Sequence, residues 1–223
     1  MEQVLSNKQK ERILKYARSI VHGDSKIMFL YYGGSIAYGT YQNADSDIDV
    51  NLVIDGFKGF MHTTIGDIDF FIYGKEYAIK KQNLDNDMPL YFITYIDEVL
   101  AIDKTLIYLN PEYKKEFDQY CDIKLEYRID KYLDVFISYY QHCIDARPNE
   151  PTKRLYHVLR LRAIIENFIS TGVYSLELTE RWRTLIFAYK KNWDNEKGYL
   201  IYKNQILKSM EFLKNYRASL RGK

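Results

Sequence analysis

One stretch limits what this chain can become. From Tyr31 to Ile54 it reads YYGGSIAYGTYQNADSDIDVNLVI. The apolar run that leads into it, KIMFLYY over residues 26–32, has the pattern of a buried strand. Gly33, Gly34 and Ser35 then force a turn. After a polar loop, Asp47 and Asp49 alternate with Ile48, Val50, Leu52 and Ile54. Alternation is the strand period, so Asp47, Asp49 and Asn51 share the face opposite the aliphatic residues. Residues 65–73 (IGDIDFFIY) predict a third strand, with Asp67, Asp69 and Phe71 on one face. Gly56, Lys58 and Gly59 mark the loop between the two acidic strands.

Helical patterns surround these strands. In residues 6–21, Ile13, Leu14, Tyr16, Ala17 and Ile20 recur at helical spacing, Ser6 suits the N-cap, and His22-Gly23 ends the run. Residues 75–83 predict a second helix, and 83–89 a polar connection. Residues 91–102 fit strand or helix and are read as a helix followed by a turn, while 105–109 (TLIYL) predict a fourth strand. Asn110-Pro111 is a break, after which the pattern changes to long amphipathic segments. These predict helices over 112–120, 124–146, 152–171, 178–190 and 195–220, with joints at 147–151 (RPNEP) and at Thr171-Gly172. The expected class is α+β. A small mixed sheet with flanking helices fills residues 1–110, and an all-helical domain fills 111–223.

Composition narrows the function classes. With 223 residues the chain can build one large domain or two modest ones. A net charge of +2 excludes a strongly basic nucleic-acid binder, though local basic faces remain open to it. The 22 tyrosines are spread along the chain, as a compositional habit would spread them. Cys121 and Cys143 show no metal-ligand spacing with His22, His62, His142 or His157, so a reducing compartment is expected. The first residues are polar and charged, unlike a signal peptide, and no apolar run approaches the ~20 residues of a membrane span. A cytoplasmic protein with no membrane partner is the expectation.

The chemistry lies in the acids and the turn. Two aspartates at i and i+2 of a strand bring both carboxylates within reach of hard cations, which take oxygen ligands. A third carboxylate from a neighbouring strand completes a two-metal site of the kind suited to in-line phosphoryl chemistry. A tight glycine turn presents backbone N–H groups to an anion, and the serine adds a hydroxyl. Taken singly, alternating aspartates are also what any half-exposed strand shows, and Gly-Gly-Ser alone is weaker still. It is the conjunction that carries the reading.

GGSIAYGT followed by SDIDV and then IDF resembles the signature of the polymerase-β-like nucleotidyltransferases. The wording around it is similar to predicted bacterial and phage nucleotidyltransferases, some of them associated with RNA repair. The resemblance is specific over residues 29–73, looser over 98–109 and 153–172, and absent from the last fifty or so. It implies a magnesium-dependent enzyme with two Mg2+ ions that moves an NMP from an NTP, ATP first among them, to a hydroxyl of RNA, protein or a small molecule. Gly34 and Ser35 would bind the phosphates. Asp47 and Asp49 would bind both ions, and a third carboxylate would bind one and help deprotonate the acceptor. For that third position Asp69 has the apolar neighbours the signature asks for, Ile68 and Phe70, whereas Asp67 follows Gly66. A hairpin about residues 56–64 would also set Asp69 nearly opposite Asp49, and Asp67 near Leu52. Asp69 is chosen, with Asp67 behind it.

The helix at 153–171 carries one further pattern. Leu155, Val158, Ile165 and Ile169 form one face with Arg162 among them, and Lys153, Tyr156, His157, Arg160 and Asn167 lie opposite. That stripe is either a solvated basic face or the surface that closes on a triphosphate or base, and a Lys-x-x-Tyr-His-x-x-Arg pattern recurs in the resembling group. The basic pairs Lys80-Lys81, Lys114-Lys115, Arg181/Arg183 and Lys190-Lys191 read as solvated surface. Two other functions fit the same resemblance. One is an antitoxin-like regulatory module that binds or modifies a partner protein; the other is an antibiotic-type enzyme modifying a small molecule.

Overall fold

The computed structural model describes residues 6–41, 47–84, 94–146, 152–194 and 196–222. The expected joint at 147–151 lies outside the described residues, as do most of the connection at 83–89 and the first part of 91–102. The chain has mixed α+β structure and divides into two compact units. The first comprises Met1–Met88 and Tyr95–Ile123, the second Pro89–Thr94 and Lys124–Lys223. The break expected at Asn110-Pro111 therefore falls inside the first unit. Phe117 and Tyr120, which follow it, are packed into the sheet's core with Phe29 and Tyr31, and that burial outweighs the local turn chemistry.

The first unit opens with helix α1 (Asn7–Ile20), capped by the Ser6 hydroxyl, which accepts from the Gln9 N–H as the sequence predicts. Strand β1 (Lys26–Tyr32) pairs antiparallel with β2 (Ile48–Asp55). Between them lies a single helical turn, α2 (Gly34–Ala37). The third strand predicted over 65–73 is present as β4 (Ile68–Gly74), but it starts later, after a turn at Gly66 with φ of +65°, and a further strand that the sequence does not predict, β3 (Phe60–Ile65), forms a hairpin with it. β4 lies parallel to β2, with β3 outside it at the sheet edge. Helix α3 (Lys75–Gln82) follows, then a 3-10 turn (Ile96–Ala101), a short helix α4 (Ile102–Thr105) and β5 (Leu106–Leu109), antiparallel to β1. The strand order is β3-β4-β2-β1-β5. A 3-10 turn (Pro111–Tyr113) and α5 (Lys114–Cys121) complete the unit.

Period-2 patterning gives this sheet two buried faces. Leu30, Tyr32, Val50, Leu52, Ile68, Phe70 and Ile72 pack with Ile13 and Ala17 of α1 on one side. On the other, Phe29, Tyr31, Val53 and Tyr73 pack with Ala78, Val99, Ile102 and Tyr120. The second face is the one that carries Asp49 and Asn51, since they alternate with Val50 and Leu52.

In the second unit the described elements are helices: α6 (Ile129–Ala146), α7 (Tyr156–Thr171), α8 (Glu180–Asn192) and α9 (Glu196–Arg221), with 3-10 turns at Leu125–Tyr127 and Lys153–Leu155. Tyr132, Phe136 and Tyr140 pack at four-residue spacing along α6, the first pair edge-on and the second tilted. α7 ends at Gly172, left-handed at φ +73°, whose N–H returns to the Phe168 carbonyl over 2.8 Å. Among the described residues no helix is long and apolar enough to cross a membrane.

Phe70 is wholly buried at the centre of β4. Phe70→Ala is expected to lower the stability of the first unit by about 3–5 kcal/mol. Native-state hydrogen exchange of the β2 and β4 amides measures this, and an effect under about 1 kcal/mol would contradict the packing described.

Candidate active site

Parallel pairing of β2 with β4 sets the site. The register matches Ile48 with Ile68, Asp49 with Asp69 and Asn51 with Phe71. Asp49 and Asp69 therefore lie side by side on one sheet face, each partly exposed at the start of its strand. The expected pairing of Asp49 with Asp69 is present, but through a parallel ladder and not through a β2–β4 hairpin. Asp67 is not behind Asp69. One guanidinium nitrogen of Arg12 of α1, Nη2, donates to both Asp67 carboxylate oxygens over 2.8 Å, which holds the pKa of that carboxyl below the ordinary range. Asp47 precedes β2 and is exposed.

Asp69 is tied to the edge strand. The Thr64 hydroxyl donates to its Oδ1, and His62 Nε2 lies 3.5 Å from the same oxygen while its ring stacks on Phe71 at 4.8 Å. His62 is thus on a strand, where the sequence reading had placed a loop. The glycines at 59 and 66, bracketing a β-branched run, were the available signal for this strand.

The Gly-Gly-Ser turn is built into the same face. Gly33 N–H donates to the Asp49 carbonyl over 2.9 Å. Gly34 has φ of +52°, and a side chain there would begin 1.8 Å from Asp49 Oδ2. Its N–H donates over 2.8 Å to Oε1 of Glu98. That donor thus has a carboxylate partner, and Gly34 also contributes the side chain it lacks. Ser35, the next residue, is buried in α2.

Glu98 is a residue the sequence reading passed over. It is buried at 5 % exposure, and its second oxygen accepts from Asn51 Nδ2 over 2.8 Å. Burial pushes its pKa up, while Lys81 and the hydrogen bonds from Asn51 and Gly34 pull it back. Lys81, expected on the surface, is 1 % exposed, its Nζ 3.3 Å from the Tyr73 hydroxyl. Burial lowers its pKa against the pull of Glu98 and Asp97. An acid inside the apolar run FITYIDEVLAI was the signal for such a partner.

The donors suit a hard cation in kind, being carboxylate oxygens on adjacent strands. In arrangement, Asp49 and Asp69 form a pair. Among the described residues no three acidic, imidazole or thiol groups cluster closely enough to hold an ion.

No protein-family model and no curated protein matches this chain.

The stripe expected on α7 does not form a solvated face. Tyr156, His157 and Arg160 are buried, and Lys153 is half-buried. The first turns of α7 are buried on every side, from Tyr156 to Leu161, whereas Ile169, assigned to the apolar face, is 54 % exposed. Arg160 Nε donates to His157 Nδ1 over 3.2 Å, and the His157 ring lies against Tyr156 at 4.0 Å. Lys190, also expected on the surface, sits with its Nζ 5.1 Å from the Tyr156 ring. Trp182 is buried and donates to Glu166 over 3.0 Å.

Two outcomes follow from this geometry. Gly39 shares the left-handed backbone at φ +63° but has nothing within 4 Å. Gly39→Ala should cost about 1–2 kcal/mol of backbone strain, and Gly34→Ala distinctly more, because its methyl also displaces the Asp49 carboxylate. Denaturation midpoints compare the two, and equal losses would contradict the contact. For His157, burial is the first cause of a pKa far below the ordinary value, followed by Arg160, Lys190 and Arg154. The unfolded chain then binds a proton near pH 6.5 that the folded chain refuses. Stability is full above that pH and falls below it, by roughly a kcal/mol per pH unit. His157→Gln, which keeps an acceptor for Arg160, should flatten this decline in denaturant titrations between pH 7.5 and 5.5.

Proposed function

We propose that this chain is a magnesium-dependent nucleotidyltransferase that moves a nucleoside monophosphate from an NTP, ATP in the first instance, to a hydroxyl acceptor. RNA is the acceptor class the sequence resemblance favours. One observation carries the reading: the parallel register that sets Asp49 beside Asp69, with Gly34 pressed against the Asp49 carboxylate. In this reading the first unit is a nucleotidyltransferase core. Asp49 and Asp69 would hold the metal pair, and Asp47, exposed just before β2, would join them by moving in on metal binding. Two magnesium ions bound there supply charge neutralisation for the triphosphate and a lowered pKa for the attacking hydroxyl.

The chain's own groups do the positioning. Ser35 offers its hydroxyl to the phosphates. Thr64 and His62 hold Oδ1 of Asp69 and so orient the carboxylate that takes the acceptor's proton. The acceptor oxygen bonds to the α-phosphorus as the α–β bridging bond breaks, and pyrophosphate leaves with the bonding electrons. Tyr156, His157 and Arg160 have no part in this proposal, because they are buried among themselves and their neighbours in the second unit.

Incubation with each α-labelled NTP, Mg2+ and total cellular RNA or lysate tests the reading. Label is expected in RNA, and label in protein or a small molecule would move the acceptor class. Asp49→Asn should reduce labelling by at least about a thousandfold, or ~4 kcal/mol of barrier, with circular dichroism unchanged. Labelling by Asp49→Asn at the normal rate, or no labelling by the native chain under any NTP, would overturn it.

A further inference from the structure

We infer that Glu98 is the positioning residue of this site: its carboxylate braces the Gly33-Gly34 turn against β2 and so fixes where the Asp49 carboxylate stands. The inference rests on the nucleotidyltransferase reading and adds a residue to it. Three observations converge on it. Glu98 Oε1 accepts from the Gly34 N–H and Oε2 from Asn51 Nδ2, each over 2.8 Å. Asn51 stands two residues beyond Asp49 on the same face of β2, so one carboxylate ties the turn to the strand that carries the metal ligand. The turn also sits directly on this pair. A side chain at Gly33 would begin 2.5 Å from Asn51 Nδ2 and 2.8 Å from Glu98 Oε2, while one at Gly34 would begin 1.8 Å from Asp49 Oδ2. The two glycines are thus gripped between Glu98 on one side and Asp49 on the other. If the grip loosens, Asp49 can move toward the turn.

Stability alone does not account for the group. A buried acid and a buried lysine within each other's electrostatic reach can often be replaced by apolar side chains of similar volume with little loss of stability. What an apolar replacement removes is the acceptor for the Gly34 N–H. A missing brace displaces a catalytic carboxylate without touching substrate, and misplacement of about 1 Å costs on the order of 100-fold in rate.

Two double variants separate bracing from charge. Both include Lys81→Met, so that the buried cation whose charge Glu98 partly offsets is removed with it. Glu98→Met/Lys81→Met should remain folded by circular dichroism and lose about 100-fold in kcat, with KM for the NTP changed far less. Glu98→Gln/Lys81→Met retains an oxygen for Gly34, and Asn51 can turn its amide to meet the Gln NH2. It should recover most of that loss. The Gly34 amide supplies a readout that needs no activity. Its hydrogen exchange should accelerate in Glu98→Met/Lys81→Met and stay slow in the Gln variant. The proposal is overturned if the Met variant turns over normally, if the Gln variant falls as far as the Met variant, or if Gly34 exchange is the same in both. A native chain that labels nothing defeats the nucleotidyltransferase reading instead, and the Gly34 exchange then decides whether Glu98 braces the turn.

Discussion

Asp49 Oδ2 occupies the space a side chain at residue 34 would need, and the first unit is arranged around that contact. For it to exist, β1 must stop at Tyr32, the chain must turn through a left-handed glycine, and Gly33 must reach the Asp49 carbonyl. Each requirement removes freedom from the next. A left-handed residue 34 without a β-carbon permits the approach. The antiparallel pairing of β1 with β2 brings the turn over residue 49. The parallel pairing of β2 with β4 then delivers a second carboxylate beside the first. The acids are close because the backbone leaves them nowhere else to be.

Much of this was legible, though not all for the right reason. β1 and the aliphatic face of β2 are strong periodic signals, because both strands are buried and central. β3 was not legible. As an edge strand its residues are only half-buried or exposed, and a half-wet strand has little pattern to show. Missing it turned a parallel pair into an imagined hairpin. The two schemes agree at the Asp49–Asp69 pair and diverge at every other rung, since one ladder runs forward and the other back. The composition of the site therefore came out of the sequence while its topology did not. Asp67 shows the difference. In a hairpin it would stand near Leu52, whereas in the parallel sheet it leads into β4 and meets Arg12 of α1.

The second unit fails differently. A helical wheel assumes one wet side, and the first turns of α7 have none. Polar residues there are accommodated by local pairing, His157 with Arg160 three residues on and Arg162 with Glu166 four residues on. Such pairs have the same spacing as a solvated stripe. Sequence alone cannot separate them, because the distinguishing fact is what other helices cover. Tyr140 lies 6.1 Å from His157 although the sequence joins them only distantly.

Glu98 and Lys81 are brought within each other's electrostatic reach from far apart in the sequence, and the direction of their pKa values bears on why they are there. Burial raises the acid and lowers the base, so desolvation outweighs their mutual attraction in both. What the carboxylate does supply is two acceptor oxygens, aimed at a part-buried backbone N–H and a buried side-chain amide. A buried N–H without an acceptor costs about as much as a lost hydrogen bond. A serine or threonine offers a single oxygen, and an amide can serve both donors only if Asn51 reverses. A carboxylate is the smallest group that satisfies both at once with Asn51 as it stands.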